Sequence, residues 1–440
     1  MKFKPYPKYK ESGIEWLEEI PEHWEIKRLR FVADYKNSNV DKKSYEDQSK
    51  VRLCNYTDVY YNEFIKNDMD FMVATASKSE IETMSLLIGD VIMTKDSEDP
   101  SDIGIPTIVA EELDNVVCGY HLTIISSGKV GTNRFIHRVI QSDISKFYFK
   151  VMSPGMTRYG LNQNSIGNTI IPLPNLSEQK AIANFLDRET IRIDSLIKEK
   201  EKFISLLKEK HLVLINHVIT KGLDSTAKMK DSGADWIGKV PEHWAIKKVK
   251  HLFEIRKRIS GEEGYPVLSI TQQGIKVKDT VSGKGQLSMD YAKYQFVEVG
   301  DFAMNHMDLL TGYVDLSKFH GVTSPDYRFF SLIDPETVDR YYLYLMQIGY
   351  KNKIFFGLGQ GVANNGRWRL QTDSFNNFNI PYPDKTEQQK IVDYLDNQVI
   401  KINGLIKETQ NSIELLKEHR TALISAAVTG KIDVRNKEVA

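Results

Sequence analysis

"SGIEWLEEIPEHW", residues 12–24, recurs as "SGADWIGKVPEHW" at residues 232–244. Comparison of Ser12–Arg30 with Ser232–Lys250 gives nine identities in nineteen positions. A second repeat pairs "IPLPNLSEQKAIANFLD", from Ile171, with "IPYPDKTEQQKIVDYLD", from Ile380. The chain therefore contains two copies of one unit, because self-similarity of this extent indicates an internal repeat.

The segments between these repeats, residues 31–170 and 251–379, look largely unalike. The first repeat pair is 220 residues apart and the second 209, so the second insert is shorter by 220 − 209 = 11 residues. A shared frame around divergent inserts indicates that both inserts are attached to the rest of the protein in the same way. It also indicates that two different objects are recognised.

Composition limits the class of protein. At 440 residues, the chain is too long to fold around a single hydrophobic core of ordinary size. Its formal net charge of zero argues against a protein that coats nucleic acid through its overall charge. Local basic faces stay compatible with that balance. Cys54 and Cys118 lie far apart in the sequence and form no CxxC pair, so neither a disulfide framework nor a zinc ribbon is supported, and a reduced, cytoplasmic setting fits. With no signal-like start and no run of about 18 apolar residues, neither secretion nor membrane spanning is predicted.

Each copy ends in a predicted long helix, at residues 177–222 and 386–433. Ser177 and Thr386 are the predicted first residues, with Ser177 as N-cap, and each helix would be about 60 Å long. Apolar residues at alternating spacings of three and four, among them Leu196, Phe203 and Leu405, predict a coiled-coil seam. We expect the two helices to pair antiparallel within the chain. The alternative is that each seam packs on another protein or on a second copy.

These motifs, repeated in the same order with "VITKGLD" from Val218 and "AVTGKID" from Ala427 closing the copies, resemble the DNA specificity subunit of type I restriction–modification systems. The resemblance implies that each insert is a target recognition domain that reads one half of a bipartite double-stranded DNA site. It implies that the long helices act as a ruler and as the dock for two methyltransferase subunits. Restriction subunits would join through the assembled complex.

The resemblance also implies a chain without catalytic activity. S-adenosylmethionine, ATP and Mg²⁺ are expected on partner subunits, and no cofactor or metal is expected on this chain. The sequence agrees, because it has no phosphate-binding loop, no Asn-Pro-Pro-Tyr or Asp-Pro-Pro-Tyr segment, and no common nuclease signature. Two alternatives are a protein-interaction scaffold and a nuclease with an unrecognised, Mg²⁺-dependent site.

The expected fold class is α+β. Two α/β recognition domains would be separated by two long helices in an antiparallel intrachain coiled coil, with a pseudo-twofold, quasi-circular arrangement that brings the C-terminus close to the first frame. The predicted boundaries are residues 1–176 for the first frame and insert, 177–222 for the first helix, 223–385 for the second frame and insert, 386–433 for the second helix, and 434–440 for a tail.

Reading DNA needs cations for phosphates and long polar side chains for base edges. The loops that close the inserts supply these types, and at the offset of 209 the arginine falls at one position in both. The predicted contacts are Arg158, Tyr159, Asn162, Gln163 and Asn164 in the first insert, and Gln360, Asn364, Asn365, Arg367, Trp368, Arg369 and Gln371 in the second. Lys95 and Asn305, which follow Gly-Asp turns, are further candidates.

Alternative roles exist for these residues. The asparagines and glycines could be turn residues, and Arg158 and Arg367 could pair with carboxylates inside their domains. The repeated Trp16, Trp24, Trp236 and Trp244 are expected to pack the frame against the helix ends, because they recur where recognition should differ. His23 and His243, with no second ligand at metal spacing, are also expected to be structural.

Overall fold

The computed structural model describes residues 3–128, 130–279, 291–361 and 368–435. They divide into two compact units, one from residues 1–200 and 410–440 and the other from residues 201–409. Two long helices, Leu176–Lys221 and Lys385–Val428, contribute to both units. The prediction of a mixed helix and sheet fold with long helices is confirmed.

Both long helices begin one residue earlier than predicted. Asn175 and Asp384, at matching positions of the repeat, accept the backbone N–H of the residue three positions on, at 3.0 and 2.8 Å. These side chains, and not Ser177 and Thr386, therefore satisfy the free amide groups at the helix starts. The second helix ends at Val428, five residues before its predicted end, and Gly430 follows in the left-handed region that terminates many helices.

The repeated frame folds in the same way in both units. Two antiparallel pairs of short strands form the frame in each unit, with 3-10 turns at Leu29–Phe31 and Val249–His251. The pairs are Tyr9–Glu11 with Glu19–Pro21, Glu25–Arg28 with Ile170–Leu173, Met229–Asp231 with Lys239–Pro241, and Ala245–Lys248 with Asn379–Tyr382. The second and fourth pairs join the two ends of each insert, so each frame closes around its own insert.

The first insert is built on a five-stranded sheet. Its strand order is Ala33–Asn37, Leu122–Ser127, Val91–Thr94, Pro106–Val109 and Phe64–Ile65. All neighbours are antiparallel except the last pair. A three-stranded sheet of Val116–Cys118, Ser49–Cys54 and Met72–Ala76 packs nearby, and short turns and helices occupy Tyr56–Tyr60, Lys78–Met84 and Pro100–Asp102.

The second insert repeats this order with fewer strands. Its four-stranded antiparallel sheet runs Phe253–Arg256, Arg328–Leu332, Phe302–Met304 and Val314–Leu316. Two hairpin-like pairs accompany it, Leu268–Thr271 with Gly274–Val277 and Gln295–Val297 with Gly321–Thr323. The two inserts, unalike in sequence, therefore share one strand order, and the first adds Phe64–Ile65 at an edge.

The central strand of each insert is apolar on both faces because both faces are buried. Val91 and Met93 face the core that holds the frame and the long helices, while Ile92 between them faces a second core. Phe302 and Ala303 divide in the same way between two cores of the second unit. The side-chain period of two along a strand requires this division.

Helices complete each insert between its sheet and the strand that closes the frame. The first insert has Asn133–Gln141, Asp143–Met152 and Gln163–Gly167, and a two-stranded ladder of Asp96–Ser97 with Tyr159–Gly160. The second has Asp339–Lys351, Ile354–Gly357 and Thr372–Asn376. None of the helices among the described residues combines the length and the apolar character that crossing a membrane requires.

The two long helices pack on each other within each unit. In the first, Ile182 and Leu186 share a core with Ile424 and Val428. In the second, Ile215 and Val218 share a core with Ile391 and Leu395. The end of one helix thus meets the start of the other, so the packing is antiparallel. Three predicted seam residues, Leu196, Phe203 and Leu405, are exposed, and a regular coiled coil stays a prediction.

The C-terminal segment lies against the N-terminal frame of the first unit. Asp433 pairs with Lys4 in a β-bridge, and the hydroxyl of Tyr9 donates to the carbonyl of Gly430 at 3.0 Å. This contact agrees with the expectation that the chain end returns to the first frame. Trp16 departs from its predicted role, since 45% of its surface is exposed, whereas Trp236 stacks on Phe378.

Candidate nucleic-acid interface

One glutamate carboxylate joins each "PEHW" motif to the start of a long helix, buried in the first copy and partly exposed in the second. Nε1 of Trp24 donates to Glu178 at 3.1 Å, and Nε2 of His23 lies 2.8 Å from the same carboxylate. In the second unit, Glu387 accepts from Trp244 at 2.8 Å, and His243 lies 2.9 Å away. Trp24, Trp244, His23 and His243 are therefore structural, as predicted, and one glutamate fixes the frame to the helix in each copy.

The glutamine that follows this glutamate fixes the insert. Oε1 of Gln179 accepts the backbone N–H of Thr132, immediately before an insert helix, at 2.9 Å, and Nε2 donates to the carbonyl of Val130 at 2.9 Å. Gln388 repeats the first contact with the N–H of Val338 at 2.8 Å. Both glutamines are buried, so each amide replaces water as the partner of the insert backbone.

An aspartate two turns further on holds the same insert helix. Asp187 accepts from Arg138 at 2.7 Å and from Nε of Arg134 at 2.8 Å. At the matching position, Asp396 accepts from Arg340 at 2.5 Å and from the hydroxyl of Tyr344 at 2.6 Å. Glutamate, glutamine and aspartate of the repeated helix motif thus mount two different inserts in one orientation.

Two loops that are distant in sequence meet in the first insert. Strand Asp96–Ser97 pairs with strand Tyr159–Gly160, and the N–H of Leu161 donates to the carbonyl of Lys95 at 2.8 Å. The predicted contact residues Lys95, Arg158 and Tyr159 therefore lie in one place. Sequence alone assigned them to two separate loops.

Polar contacts link the side chains at this point. Lys95 donates to Oδ2 of Asp96 at 3.0 Å, and Nδ1 of His121 lies 2.8 Å from that oxygen. Arg158 reaches Nε2 of His121 at 3.5 Å, and the Lys95 ammonium lies 4.8 Å from the ring centroid of Tyr120. Two permanent cations, Lys95 and Arg158, and one carboxylate therefore meet at this point.

The carboxylate at the centre of these contacts stays ionised. Burial alone would raise the pKa of Asp96, but the hydrogen bonds from His121 and Lys95 outweigh that effect and lower the pKa below its usual value. Arg158 is exposed, and half of the Tyr120 surface (51%) is exposed. A ring and a guanidinium group are thus both available to a ligand.

The polar residues that follow Arg158 have structural contacts as well. Oδ1 of Asn162 accepts the N–H of Ser165 at 2.8 Å and so caps the helix Gln163–Gly167. Oδ1 of Asn164 accepts from Arg30 at 2.8 Å, while Gln163 is exposed. DNA contact by these three residues stays a prediction.

The second insert has the same crossing of loops. The N–H of Leu370 donates to the carbonyl of His306 at 2.9 Å, as Leu161 does to Lys95. His306 is therefore the counterpart of Lys95. Asn305, the predicted contact, lies one residue earlier, and its backbone carbonyl accepts the hydroxyl of Tyr350 at 2.7 Å.

The structure describes the two ends of the predicted reading loop of the second insert, up to residue 361 and from residue 368. Gln360 and Arg369 pair through their backbones at 3.0 and 3.1 Å, and the Trp368 ring lies 4.9 Å from that of Phe356, centroid to centroid. Gln371 precedes the short helix Thr372–Asn376 as its N-cap residue. The other predicted contacts, Asn364, Asn365 and Arg367, lie outside the described residues.

A buried arginine behind this loop was not predicted. Arg328 donates to the carbonyl of Leu370 at 3.0 Å, and its guanidinium group lies 4.7 Å from the ring centroid of Phe375. Burial lowers its pKa to about 10, and Arg369 adds to the effect. Its place between apolar strand residues in "SPDYRFFSL" was the available sequence signal. Tyr120 and His121, also missed, gave no comparable signal.

His306 should make the second unit less stable in acid. Burial lowers the pKa of His306 to about 3, and Arg328 and Arg369 add to the effect. Between about pH 6.5 and pH 3, the unfolded chain therefore binds a proton that the folded chain does not. The free energy of unfolding should fall on acidification by up to about 1.4 kcal/mol per pH unit.

Urea titrations of the second unit between pH 7 and pH 5 would measure this slope. His306→Gln should flatten it, whereas substitution of the exposed His251 by Gln should not. An unchanged slope in His306→Gln would show that another group causes the acid sensitivity.

Comparison with known proteins agrees with this duplicated architecture. A family model described as "Type I restriction modification DNA specificity domain" matches residues 21–204 and again residues 241–415. The chain belongs to this family. The two matched segments of this specificity subunit are the two copies of the frame, each with its insert and much of its long helix. Within the described ranges, no cluster of three or more His, Cys, Asp or Glu side chains could hold a metal ion.

Relatives of the specificity subunit match it over nearly its whole length. A protein of Methanocaldococcus jannaschii, provisionally named type I restriction enzyme MjaX specificity subunit, is 22% identical, over 97% of this chain and 98% of its own. A chain from a study of complex assembly and conformational transition in a type I R-M system has a TM-score of 0.66 at 14% identity, over 93% of this chain and 98% of its own. The HsdS subunit from Thermoanaerobacter tengcongensis has a TM-score of 0.53 at 15% identity, over 94% and 98%. These structures support the fold.

Proposed function

We propose that this specificity subunit reads a bipartite site in double-stranded DNA, with one insert for each half of the site. The observation that carries the proposal is that the same three helix residues attach two different inserts to the long helices. Glu178, Gln179 and Asp187 in one copy, and their counterparts in the other, bind frame and insert in the same way. The surfaces beside these mounts differ, as two half-sites of different sequence require.

The proposed reading surface of the first insert lies where its two loops cross. Lys95 and Arg158 supply cations for phosphates or guanine, and the exposed Tyr120 ring offers an apolar face. In the second insert the proposed surface includes Gln360, Trp368 and Arg369. Cations beside exposed aromatic rings support nucleic acid as the ligand.

We propose that the long helices dock methyltransferase subunits, with restriction subunits joining through them. Apolar side chains exposed on these helices support this: Ile191, Leu206, Val213, Ile400 and Leu415. These exposed side chains are available to a protein partner. The related chain from a type I R-M assembly points to the same class of partner. Helix length would then set the spacer between the half-sites.

In this proposal the chain is not catalytic. S-adenosylmethionine, ATP and Mg²⁺ act on the partner subunits. We also propose a cytoplasmic location, because the target is DNA and both cysteines, Cys54 and Cys118, are free thiols.

Methylation mapping of the host genome, with and without this gene and with its methyltransferase partner expressed, tests the proposal. Loss of one motif with two defined segments around an unspecified spacer is the expected result. An unchanged methylome with an active partner would favour the protein-interaction scaffold. Mg²⁺-dependent cleavage by the purified chain alone would contradict a non-catalytic role.

Arg158→Ala should weaken recognition of one half-site only. A guanidinium contact to a base edge contributes about 1–3 kcal/mol of discrimination. Binding competition among duplexes altered in either half measures the loss. Arg367→Ala should act on the other half, and Lys198→Ala, on an exposed position of the first long helix, is the control. Equal loss at both halves for Arg158→Ala would contradict the assignment.

A further inference from the structure

Two cations of each frame lie at matching positions beside a short helix of the insert. Arg28 donates to Oδ1 of Asn168 at 3.1 Å, and Arg30 donates to Oδ1 of Asn164 at 2.8 Å. In the second unit, Lys248 and Lys250 both donate to Oδ1 of Asn377, at 3.4 and 3.3 Å. All four cations are exposed.

Neutral amide oxygens do not cancel these charges. Over the part of the chain that the structure describes, none of Arg28, Arg30, Lys248 and Lys250 forms a salt bridge. Neighbours in the same two strands behave differently, because Lys27 pairs with Glu25 at 2.9 Å and Lys247 pairs with Asp334 at 3.1 Å. Arg28 and Lys248 are the last residues of these strands, and Arg30 and Lys250 lie in the 3-10 turns that follow, so the uncompensated charge is grouped where each strand ends.

The short helix connects these cations to the proposed reading loop. Gln163–Gly167 starts five residues after Arg158, is capped by Asn162, and is followed by its C-cap Asn168, the partner of Arg28. Thr372–Asn376 ends in the same way at Asn377. A DNA segment read by the loop would thus pass within reach of the frame cations.

The repeat keeps the charge and changes the side chain. Arginine stands at both positions in the first copy and lysine at both in the second. Arginine and lysine differ as base readers but both serve as point charges for phosphate. A partner that is the same at both copies, while the reading loops differ, fits the DNA backbone.

We propose that Arg28 and Arg30 in one frame, and Lys248 and Lys250 in the other, contact DNA phosphates and hold each half-site in register without reading its sequence. This inference rests on the proposed DNA-reading function. In this proposal the repeated frame binds the DNA backbone, and the inserts read the bases.

The test uses the full chain with its methyltransferase partner and two duplexes, one with the mapped site and one scrambled. Affinity is measured over a series of salt concentrations. Each lost phosphate contact should reduce the slope of log affinity against log salt by about 1. Arg28→Gln/Arg30→Gln and Lys248→Gln/Lys250→Gln should each reduce it by about 2, by the same amount on both duplexes. Lys27→Gln/Lys247→Gln, which removes paired cations of the same strands, should leave it unchanged.

Several outcomes would overturn the inference. If the wild type prefers the mapped site and the variants keep its slope, the phosphate contacts are wrong and the proposed function stands. An unchanged slope with weaker methyltransferase binding would assign the cations to protein docking. An unchanged slope with a lower unfolding midpoint would limit them to capping the short helices. A wild type that binds neither duplex would overturn both proposals.

Discussion

Arg138→Met is expected to lower the free energy of unfolding of the first unit by about 3–5 kcal/mol. The Arg138 side chain is fully buried, at 0% exposure, and donates to Asp187 at 2.7 Å, to Glu63 at 2.5 Å and to Thr190 at 3.1 Å. Methionine fills similar space but leaves both carboxylates without their shared cation. Because Glu63 also pairs with Arg420 of the second long helix, the loss should loosen the insert from both helices.

Arg134→Met is the matched control. Arg134 pairs with the same aspartate, but half of its side chain is exposed, so the expected cost is below about 1 kcal/mol. Urea titration followed by hydrogen exchange in peptides of each unit separates local from general effects. If both variants cost the same, or if Arg138→Met costs nothing, the buried ion pairs do not hold the insert.

Trp24→Ala is expected to destabilise the same unit by about 3–5 kcal/mol. Trp24 is fully buried in the core that joins the frame to the helix ends, and its ring nitrogen is a partner of the buried Glu178. The substitution therefore combines a large cavity with the loss of a hydrogen bond to a buried carboxylate. Trp244→Ala should have the same effect on the second unit, where Glu387 is the partner.

Trp16→Ala tests the specificity of this effect within the same frame. Its partly exposed ring contacts Phe147 at 6.2 Å between centroids, and its removal should cost at most about 1 kcal/mol. The same hydrogen-exchange measurement reports which unit opens. A loss for Trp16→Ala as large as that for Trp24→Ala would show that exposure does not decide the role of the frame tryptophans.

Much of the fold was predictable because its signals are local or repeated. The long helices follow from their apolar period, and the role of Trp24 follows from its recurrence. The helix starts at Leu176 and Lys385 were placed one residue late, since Ser177 is as good a cap in sequence as Asn175. The exposure of Trp16 was not predictable, because its sequence pattern matches that of the less exposed Trp236.

The site was predicted less completely than the fold. The loops of Lys95 and Arg158 were both singled out by composition, but their pairing through Asp96–Ser97 and Tyr159–Gly160 was not. Tyr120 and His121 were missed, because nothing in their local sequence distinguishes them from other strand-end residues. His306 was passed over in favour of Asn305, as the strand register that equates it with Lys95 is visible only in the sheet.

The sequence by itself determined that this protein is one unit used twice, with two long helices and two different inserts. Repeats, helical periods and turn residues are properties of neighbouring positions, so they can be read along the chain. Only the tertiary structure decided which side chains meet: Glu178 with Trp24, Asp187 with Arg138, and Arg158 with His121. Such contacts depend on distances of a few ångströms between residues far apart in sequence, and no local pattern encodes them.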